Sequence, residues 1–172
     1  MEIRQARSQD WPQIWPIFAA VVAAGDSYAY PEPVSSAVAE SLWMEGSPGR
    51  TVVAVADGAV VGTAKMGPNR PGRGAHVATA SFMVDPRVQS RGVGRALAEY
   101  VLEWARSAGY RSMQFNAVVE TNTAAVRLWR SLGFEVIGTV PEAFDHAREG
   151  LVGLHVMYLR LDPPETSGPP TT

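Results

Sequence analysis

The spacing of apolar residues along the chain predicts four helices. In the clearest of them, apolar side chains recur every three or four residues from Val93 to Ala105, and Gly109 follows as a stop. The first helix is preceded by Ser8-Gln9-Asp10-Trp11-Pro12, a small polar cap and an early proline that are typical of a helix start. The predicted helices cover residues 11–24, 35–44, 91–108 and 121–132.

Stretches rich in β-branched or alternating residues predict seven strands. Asp57-Gly58 joins two of them and is a strong hairpin signal. Residues 67–74 hold two prolines and three glycines and predict a loop, and a second loop is predicted around Phe144, between the last two strands. The predicted strands cover residues 1–7, 51–56, 59–66, 76–84, 112–119, 134–140 and 153–161.

Length and composition predict one globular domain followed by a short tail. The chain has 172 residues, of which 46% are apolar and 19% charged, as in ordinary single-domain proteins. Residues 1–161 hold all the predicted elements and form the predicted domain. Residues 162–172 offer no large apolar side chain to anchor them, so we expect a disordered C-terminal tail.

Charge and residue types exclude several classes of function. Fifteen basic and seventeen acidic residues give a net charge of -2, so we expect no nucleic-acid partner. With no cysteine and three histidines, the chain has no thiol nucleophile, and we expect no metal site. The apolar stretch 14–24 contains a proline and is too short to span a bilayer. These features predict a cytoplasmic protein without a membrane partner.

The segment that carries chemistry follows the fourth predicted strand. There Gln89-Ser90-Arg91-Gly92-Val93-Gly94-Arg95-Ala96 opens the longest helix. Glycines at a helix start let the backbone approach an anion, and the free amides and the helix dipole favour phosphate there. The spacing matches neither the dinucleotide-binding G-x-G-x-x-G nor the P-loop, because only one G-x-G is present and no lysine follows. The segment predicts a pyrophosphate site of another kind.

Two motifs in this order resemble those of a known family. Gln89-x-x-Gly92-x-Gly94 after a strand resembles the acetyl-CoA signature of the GCN5-related N-acetyltransferases. Asn122-x-x-Ala125-Val126-x-Leu128-Trp129-x-x-Leu132-Gly133-Phe134 is similar to the helix and strand that follow it in that family. The resemblance covers the predicted strand order over residues 1–161 and leaves out the tail.

The resemblance implies both a fold and a co-substrate. The fold is α/β, with a mixed, mostly antiparallel sheet of about seven strands, splayed between strands 4 and 5 and flanked by about four helices. Acetyl-CoA would lie in the splay, and its acetyl group would pass directly to a bound amine in a ternary complex, without an acyl-enzyme. Carried over by position, the residues that hold acetyl-CoA are the backbone of Phe82, Met83 and Val84, then Gln89, Arg91, Gly92, Val93, Gly94, Arg95 and Ala96 around the pyrophosphate, and Asn122 on the pantetheine arm.

The acid and base of the reaction are less well marked. Many relatives carry a tyrosine that protonates the departing thiolate where this chain has Trp129, whose indole donates a hydrogen bond but gives up no proton. We expect Trp129 to form a wall beside the pantetheine end, with solvent as the acid. Three residues are alternatives for the base or a substrate contact: His76, Asn116 and Glu120. Each has a plainer interpretation, as an exposed strand end, an internally bonded amide and a first-turn acid.

The acceptor is predicted to be a small primary amine, such as an amino acid. Tyr28, Asn69 and Phe144 are candidates for its pocket, although each also fits a packed loop or a turn. One alternative is a non-catalytic acyl-CoA-binding or regulatory module. Another is a protein or peptide N-terminal acetyltransferase, which would need an open cleft between the first-helix loop and the last hairpin. A homodimer is compatible with the predicted fold.

Overall fold

A seven-stranded mixed sheet forms the centre of the molecule. The computed structural model describes residues 1–88 and 91–161. Within them the spatial order is β1-β2-β3-β4-β5-β7-β6, and every neighbouring pair except β4 and β5 is antiparallel. The strands are β1 Glu2–Gln5, β2 Arg50–Ala56, β3 Ala59–Pro68, β4 Val77–Val84, β5 Ser112–Val119, β6 Glu135–His146 and β7 Gly150–Arg160. The predicted fold class is confirmed.

The sheet opens between β4 and β5, as predicted. These parallel strands pair only near their starts, Val77 with Ser112 and Ala78 with Met113. Beyond that point β4 follows β3 as far as Val84, whereas β5 follows β7. A wedge-shaped gap therefore lies between the C-terminal halves of β4 and β5.

Four helices cover the two faces of the sheet and begin and end within two residues of their predicted limits. Phe18 and Trp43, from the first two helices, pack with Met83 of β4 in one buried cluster. Leu97 and Val101, from the third, belong to a second cluster that also holds residues of β2, β3, β4, β5 and β7. The sheet is therefore buried on both faces at β4. The helices are α1 Trp11–Ala23, α2 Ser36–Trp43, α3 Val93–Ser107 and α4 Thr123–Ser131.

The last two strands are longer than the sequence pattern predicts. Phe144 and His146, placed by that pattern in a loop, lie in β6 and pair with Val152 and Gly150. The register shifts between Val140 and Phe144, within a stretch where Glu142 takes a φ of 51°. This bulge breaks the alternation of apolar and polar residues, which is the signal that marks a strand in a sequence.

β3 also runs beyond its predicted end, to Pro68, which pairs with Ala78. The neighbouring residue Asn69 donates its N–H to Val77 O (2.7 Å), so the Pro68 pair is a non-hydrogen-bonded position of the ladder. The missing N–H of proline therefore removes no bond to β4, and the strand tolerates a residue that usually ends one.

Two predictions, for Gln89 and for the tail 162–172, lie outside the described residues. Among the helices that residues 1–88 and 91–161 form, none is both long and apolar enough to cross a membrane.

Candidate active site

The gap between β4 and β5 opens into a cleft of about 950 Å³. Its walls come from parts of the chain that are distant in sequence. The helix half is the part bounded by Val84, by the start of α3 and by α4. The hairpin half is the part bounded by the α1–α2 loop, by Asn116 and by the β6–β7 hairpin. The two halves meet at Phe82.

Alternate residues of β4 turn their backbone groups into the gap. Val77 O accepts from Asn69 N, and Asp85 N donates to Val61 O (3.0 Å), so the odd-numbered residues of β4 bond to β3. Met83 is one of these, and its backbone therefore faces β3 rather than the gap, contrary to the prediction. The residues whose backbone faces the gap are Ala80, Phe82 and Val84.

The hydroxyl of Tyr28 occupies the gap at Phe82. Tyr28 Oη donates a hydrogen bond to Phe82 O (2.7 Å) and accepts one from Phe82 N (2.8 Å). The Tyr28 ring stacks on Tyr30 with centroids 5.7 Å apart and meets the edge of Trp43 at 6.2 Å. Burial raises the pKa of Tyr28, so the hydroxyl keeps its proton. The structure thus joins Tyr28, predicted to line the acceptor pocket, to Phe82, whose backbone is predicted to hold acetyl-CoA.

The first turn of α3 points amide groups into the helix half. Gly92 precedes the helix with a φ of 78°, a left-handed conformation that glycine adopts without strain. Its carbonyl accepts the first helical hydrogen bond, from Ala96 N (3.0 Å), so the Ala96 amide is already paired. The N–H groups of Val93, Gly94 and Arg95 come before that bond and have no helical partner. Free amides of this kind, together with the helix dipole, favour an anion.

The arginines around this turn differ in their partners. Arg95 lines the cleft, and its Nη2 donates to Ser131 Oγ on α4 (2.7 Å). Arg91 is exposed just before α3. Arg87 is bound to Asp85, with Nε 3.0 Å from Oδ1 and Nη2 2.7 Å from Oδ2, and this guanidinium holds the pKa of Asp85 below its usual range. Arg87 therefore holds the turn between β4 and α3.

α4 and the residues before it form the far wall of the helix half. Asn122 caps the helix, because its Oδ1 accepts from Ala125 N (3.2 Å), and this leaves the Nδ2 hydrogens for another partner. Thr121 Oγ1 is buried and has no hydrogen-bond partner among the described residues. The Trp129 ring lies 4.9 Å from that of Phe82, centroid to centroid, and only 7% of the residue is exposed. The wall thus presents two polar side chains and an indole.

The hairpin half is closed where the β6–β7 turn meets the loop after α1. Ala147 N donates to Gly25 O (2.9 Å), and a Cβ placed on Gly25 would lie 2.8 Å from Ala147 Cβ. The buried His146 fixes the turn, since its Nδ1 accepts from Arg148 N (3.1 Å) and Glu149 N (3.2 Å). The first-helix loop and the last hairpin are therefore in direct contact.

Asn116 and Asn69 meet beside the hairpin half. Asn116 Nδ2 donates to Asn69 Oδ1 (2.6 Å), and Asn116 Oδ1 accepts from Gln114 Nε2 (2.8 Å). Asn116 lies where β5 loses its register with β7, and its side chain lines the cleft. Phe144 lines the same half from β6.

His76 and Glu120 do not line the cleft. His76 is exposed before the first residue of β4, at the end where β4 and β5 still pair. Glu120 Oε1 accepts from Gly153 N (2.5 Å), and Glu120 N donates to Gly153 O (3.0 Å), so this residue joins β5 to β7. Of the three predicted catalytic candidates, the structure brings Asn116 to the cleft.

Residues 3–134 match the model of the acetyltransferase (GNAT) family, and they include the splayed strands, the α3 turn and α4. The chain belongs to the acetyltransferase (GNAT) family. The predicted family and the predicted class of enzyme are thereby confirmed.

Relatives in this family include proteins of assigned activity. The L-amino acid N-acetyltransferase AaaT of Escherichia coli is 30% identical over 145 residues, which cover 80% of this chain and 84% of that protein. The structure of a GCN5-related N-acetyltransferase from Kribbella flavida is 58% identical, with a TM-score of 0.90 over 93% of this chain and 97% of that one. YncA of Salmonella typhimurium, solved with its cofactor acetyl-CoA, is 27% identical, with a TM-score of 0.80 over 95% of each chain. Two further relatives, from yeasts, match over 44% of this chain. The matched part covers only 36% of the length of one relative and 12% of the other.

One cleft residue of this GNAT-family protein, Lys65, is not among those that the sequence predicts. Lys65, the single lysine of the chain, lies on β3 and lines the hairpin half. Its Nζ donates to Leu42 O (2.7 Å) and lies 3.4 Å from Glu45 Oε1 and 5.8 Å from the centroid of the Trp43 ring. The sequence does mark this residue, because it is the one lysine of the chain and lies within an apolar strand.

Proposed function

We propose that the protein transfers the acetyl group of acetyl-CoA directly to the primary amine of a small molecule, and that the acceptor is an amino acid. The hydrogen bond between Ala147 N and Gly25 O carries this proposal, because it closes the hairpin half to a long chain. A protein or peptide acceptor would need these two segments to stand apart.

The helix half fits acetyl-CoA. Val93, Gly94 and Arg95 offer amides to a pyrophosphate, and the backbone of Val84 offers a strand edge to the amides of a pantetheine arm. Thr121 Oγ1 supports the same placement, because a buried hydroxyl without a partner is costly unless a ligand satisfies it. Acetyl-CoA supplies an activated thioester, and these residues hold and orient it.

None of the three predicted catalytic candidates is suited to take the proton of the acceptor amine. Asn116 has no basic nitrogen, Glu120 is bound to Gly153, and His76 lies at the closed end of β4. We therefore propose that solvent water, which reaches the acceptor through the cleft, removes the proton of the acceptor's ammonium group. The amine then attacks the thioester carbon, and the CoA thiolate leaves without a side-chain acid, because a thiolate with a pKa of about 8.5 is a tolerable leaving group.

Lys65 supports an acceptor with a carboxylate. The ammonium has three hydrogens, and Leu42 O and Glu45 account for two of them. The third is available to an anion in the hairpin half. The amino-acid acceptor of the Escherichia coli relative has such a carboxylate next to its amine.

The test is a measurement of CoA thiol release with acetyl-CoA and a matched acceptor panel. Each amino acid is compared with its decarboxylated amine and with a tripeptide that begins with the same residue. We expect kcat/KM for the best amino acid to exceed that for its tripeptide by about 100-fold, a free-energy difference of about 2.7 kcal/mol. Equal rates for the tripeptide would refute the closed acceptor site. Binding of acetyl-CoA without turnover on any amine would instead support the non-catalytic module.

A further inference from the structure

The hydroxyl of Tyr28 marks an oxygen position at the meeting point of the two halves. It lies 2.8 Å from Phe82 N and 2.7 Å from Phe82 O, within ordinary hydrogen-bond distance of both. These backbone groups face the gap, in line with Val84 and the start of α3. A thioester carbonyl held along this edge would have Phe82 N–H as its donor. Tyr28 Oη therefore stands where that carbonyl oxygen belongs.

We propose that Tyr28 acts in catalysis as the second hydrogen-bond donor, beside Phe82 N–H, to the acetyl oxygen as it becomes an oxyanion. This inference rests on the proposed function. When acetyl-CoA binds, its carbonyl oxygen accepts the hydrogen bond of Phe82 N–H. The Tyr28 hydroxyl then moves away from Phe82 N by one hydrogen-bond length, about 2.7 Å. The loop that carries Tyr28 joins α1 to α2 and contains no helix or strand, so it allows this movement.

The hydrogen bond becomes stronger as the reaction proceeds. The amine nitrogen forms a bond to the carbonyl carbon, and the π electron pair of the C=O moves to the oxygen. Once acetyl-CoA is bound, the withdrawn Tyr28 O–H donates to the thioester oxygen, and this bond strengthens as the oxygen gains charge and becomes a better acceptor. Collapse restores the C=O and breaks the C–S bond, so the electron pair leaves on the CoA thiolate, and the extra proton on the attacking nitrogen passes to solvent as the amide forms. Tyr28 keeps its proton throughout.

Two further observations fit a permanent donor. Burial raises the pKa of Tyr28, so the phenol stays neutral wherever the amine is reactive. The ring stacks on Tyr30 and meets the edge of Trp43, and these contacts direct the hydroxyl towards Phe82. A donor aimed at the atom where charge develops stabilises the transition state more than the ground state.

The test compares Tyr28→Phe with Tyr30→Phe, which deletes the same atom from the stacked neighbour. The carbonyl stretch of bound acetyl-CoA, labelled with ¹³C at the carbonyl, is measured by isotope-edited infrared spectroscopy without an acceptor. We expect Tyr28→Phe to move this stretch to higher wavenumber and to lower kcat by about 100-fold. The dissociation constant of acetyl-CoA changes less than about threefold, and Tyr30→Phe leaves the stretch and the rate unchanged.

An unchanged stretch and rate in Tyr28→Phe would overturn this inference but leave the proposed function intact. Failure of the wild-type protein to bind acetyl-CoA would overturn the proposed function itself. If Tyr28→Phe does not fold, 3-fluorotyrosine at position 28 replaces it. Its more acidic phenol is a stronger donor, so the stretch must move to lower wavenumber, and no movement would again refute the role.

Discussion

The two halves of the cleft are built in different ways. The helix half comes mainly from one continuous stretch, where the end of β4, the turn at Asp85 and Arg87, and the first turn of α3 follow one another. The hairpin half brings together the loop after α1, the β5 irregularity at Asn116 and the β6–β7 turn. Under the proposed function, the acetyl-CoA site therefore depends on a local motif, whereas the acceptor pocket depends on contacts between distant segments.

The strongest test of the helix half is Gly94→Asp. A carboxylate in the first turn of α3 brings negative charge against the pyrophosphate, so we expect acetyl-CoA affinity to fall by at least about 100-fold in calorimetry. Gly94→Ala is the matched control, because a Cβ there meets Leu128 Cδ2 at 3.7 Å and Val84 Cγ2 at 3.8 Å, which are ordinary contacts. Equal losses in both variants would show that the charge is not the cause.

The hairpin half is tested by Gly25→Ala. The added Cβ would lie 2.8 Å from Ala147 Cβ and forces the two segments apart. We expect the KM for the amino-acid acceptor to rise by about tenfold, equal to about 1.4 kcal/mol, with acetyl-CoA affinity unchanged. Gly58→Ala controls for backbone strain, since Gly58 also has a positive φ (79°) but open space around its Cβ position. A similar KM in the two variants would contradict a closed acceptor site.

The fold and the helix half could be predicted because their signals are local. The hydrophobic spacing of α3 and its two glycines lie in one stretch, and they place Gly92 just before the helix and Gly94 in its first turn. Met83 departs from the prediction, because which residues of a strand face a gap depends on the register with β3. Which amides of α3 are free depends in the same way on where the first helical bond forms.

The hairpin half could not be predicted in the same way. The pattern predicts a loop at Phe144, because a bulge in β6 hides the alternation of its strand. The contact between Gly25 and Ala147 joins residues more than a hundred positions apart, and no local pattern marks it. Tyr28 and Asn116 were chosen for their chemistry, but their partners, Phe82 and Asn69, follow from the sheet and its splay.

A smaller effect, on thermal stability, is expected when the carboxylate of Asp85 is removed. Asp85 connects β4 to the helix half. Arg87 holds the pKa of this carboxyl below its usual range, so the folded pKa lies below the unfolded value of about 3.9. The stabilisation is therefore complete above about pH 4 and is lost as the pH falls through the folded pKa. We expect Asp85→Asn to lower the melting temperature by a few degrees (~4 °C) at pH 7. The difference from wild type must shrink in acid, and a constant difference down to about pH 2 would contradict the ion pair as its source.

The smallest effect is expected from Trp129→Phe, at the boundary between the halves. Trp129 packs against Phe82 and Phe115, with ring centroids 4.9 and 4.8 Å away, and its indole has no proton to give at neutral pH. Phenylalanine keeps an aromatic wall, so we expect kcat on the amino-acid acceptor to stay within about threefold, less than 1 kcal/mol. Trp129→Tyr adds the hydroxyl that the family resemblance implies at this position, and it raises kcat if thiolate departure limits the rate. A loss of about a thousandfold in Trp129→Phe, with acetyl-CoA affinity unchanged, would instead make the indole N–H a transition-state donor. In that case the oxyanion site would extend from β4 to α4, and the division of the cleft at Phe82 would no longer separate binding from chemistry.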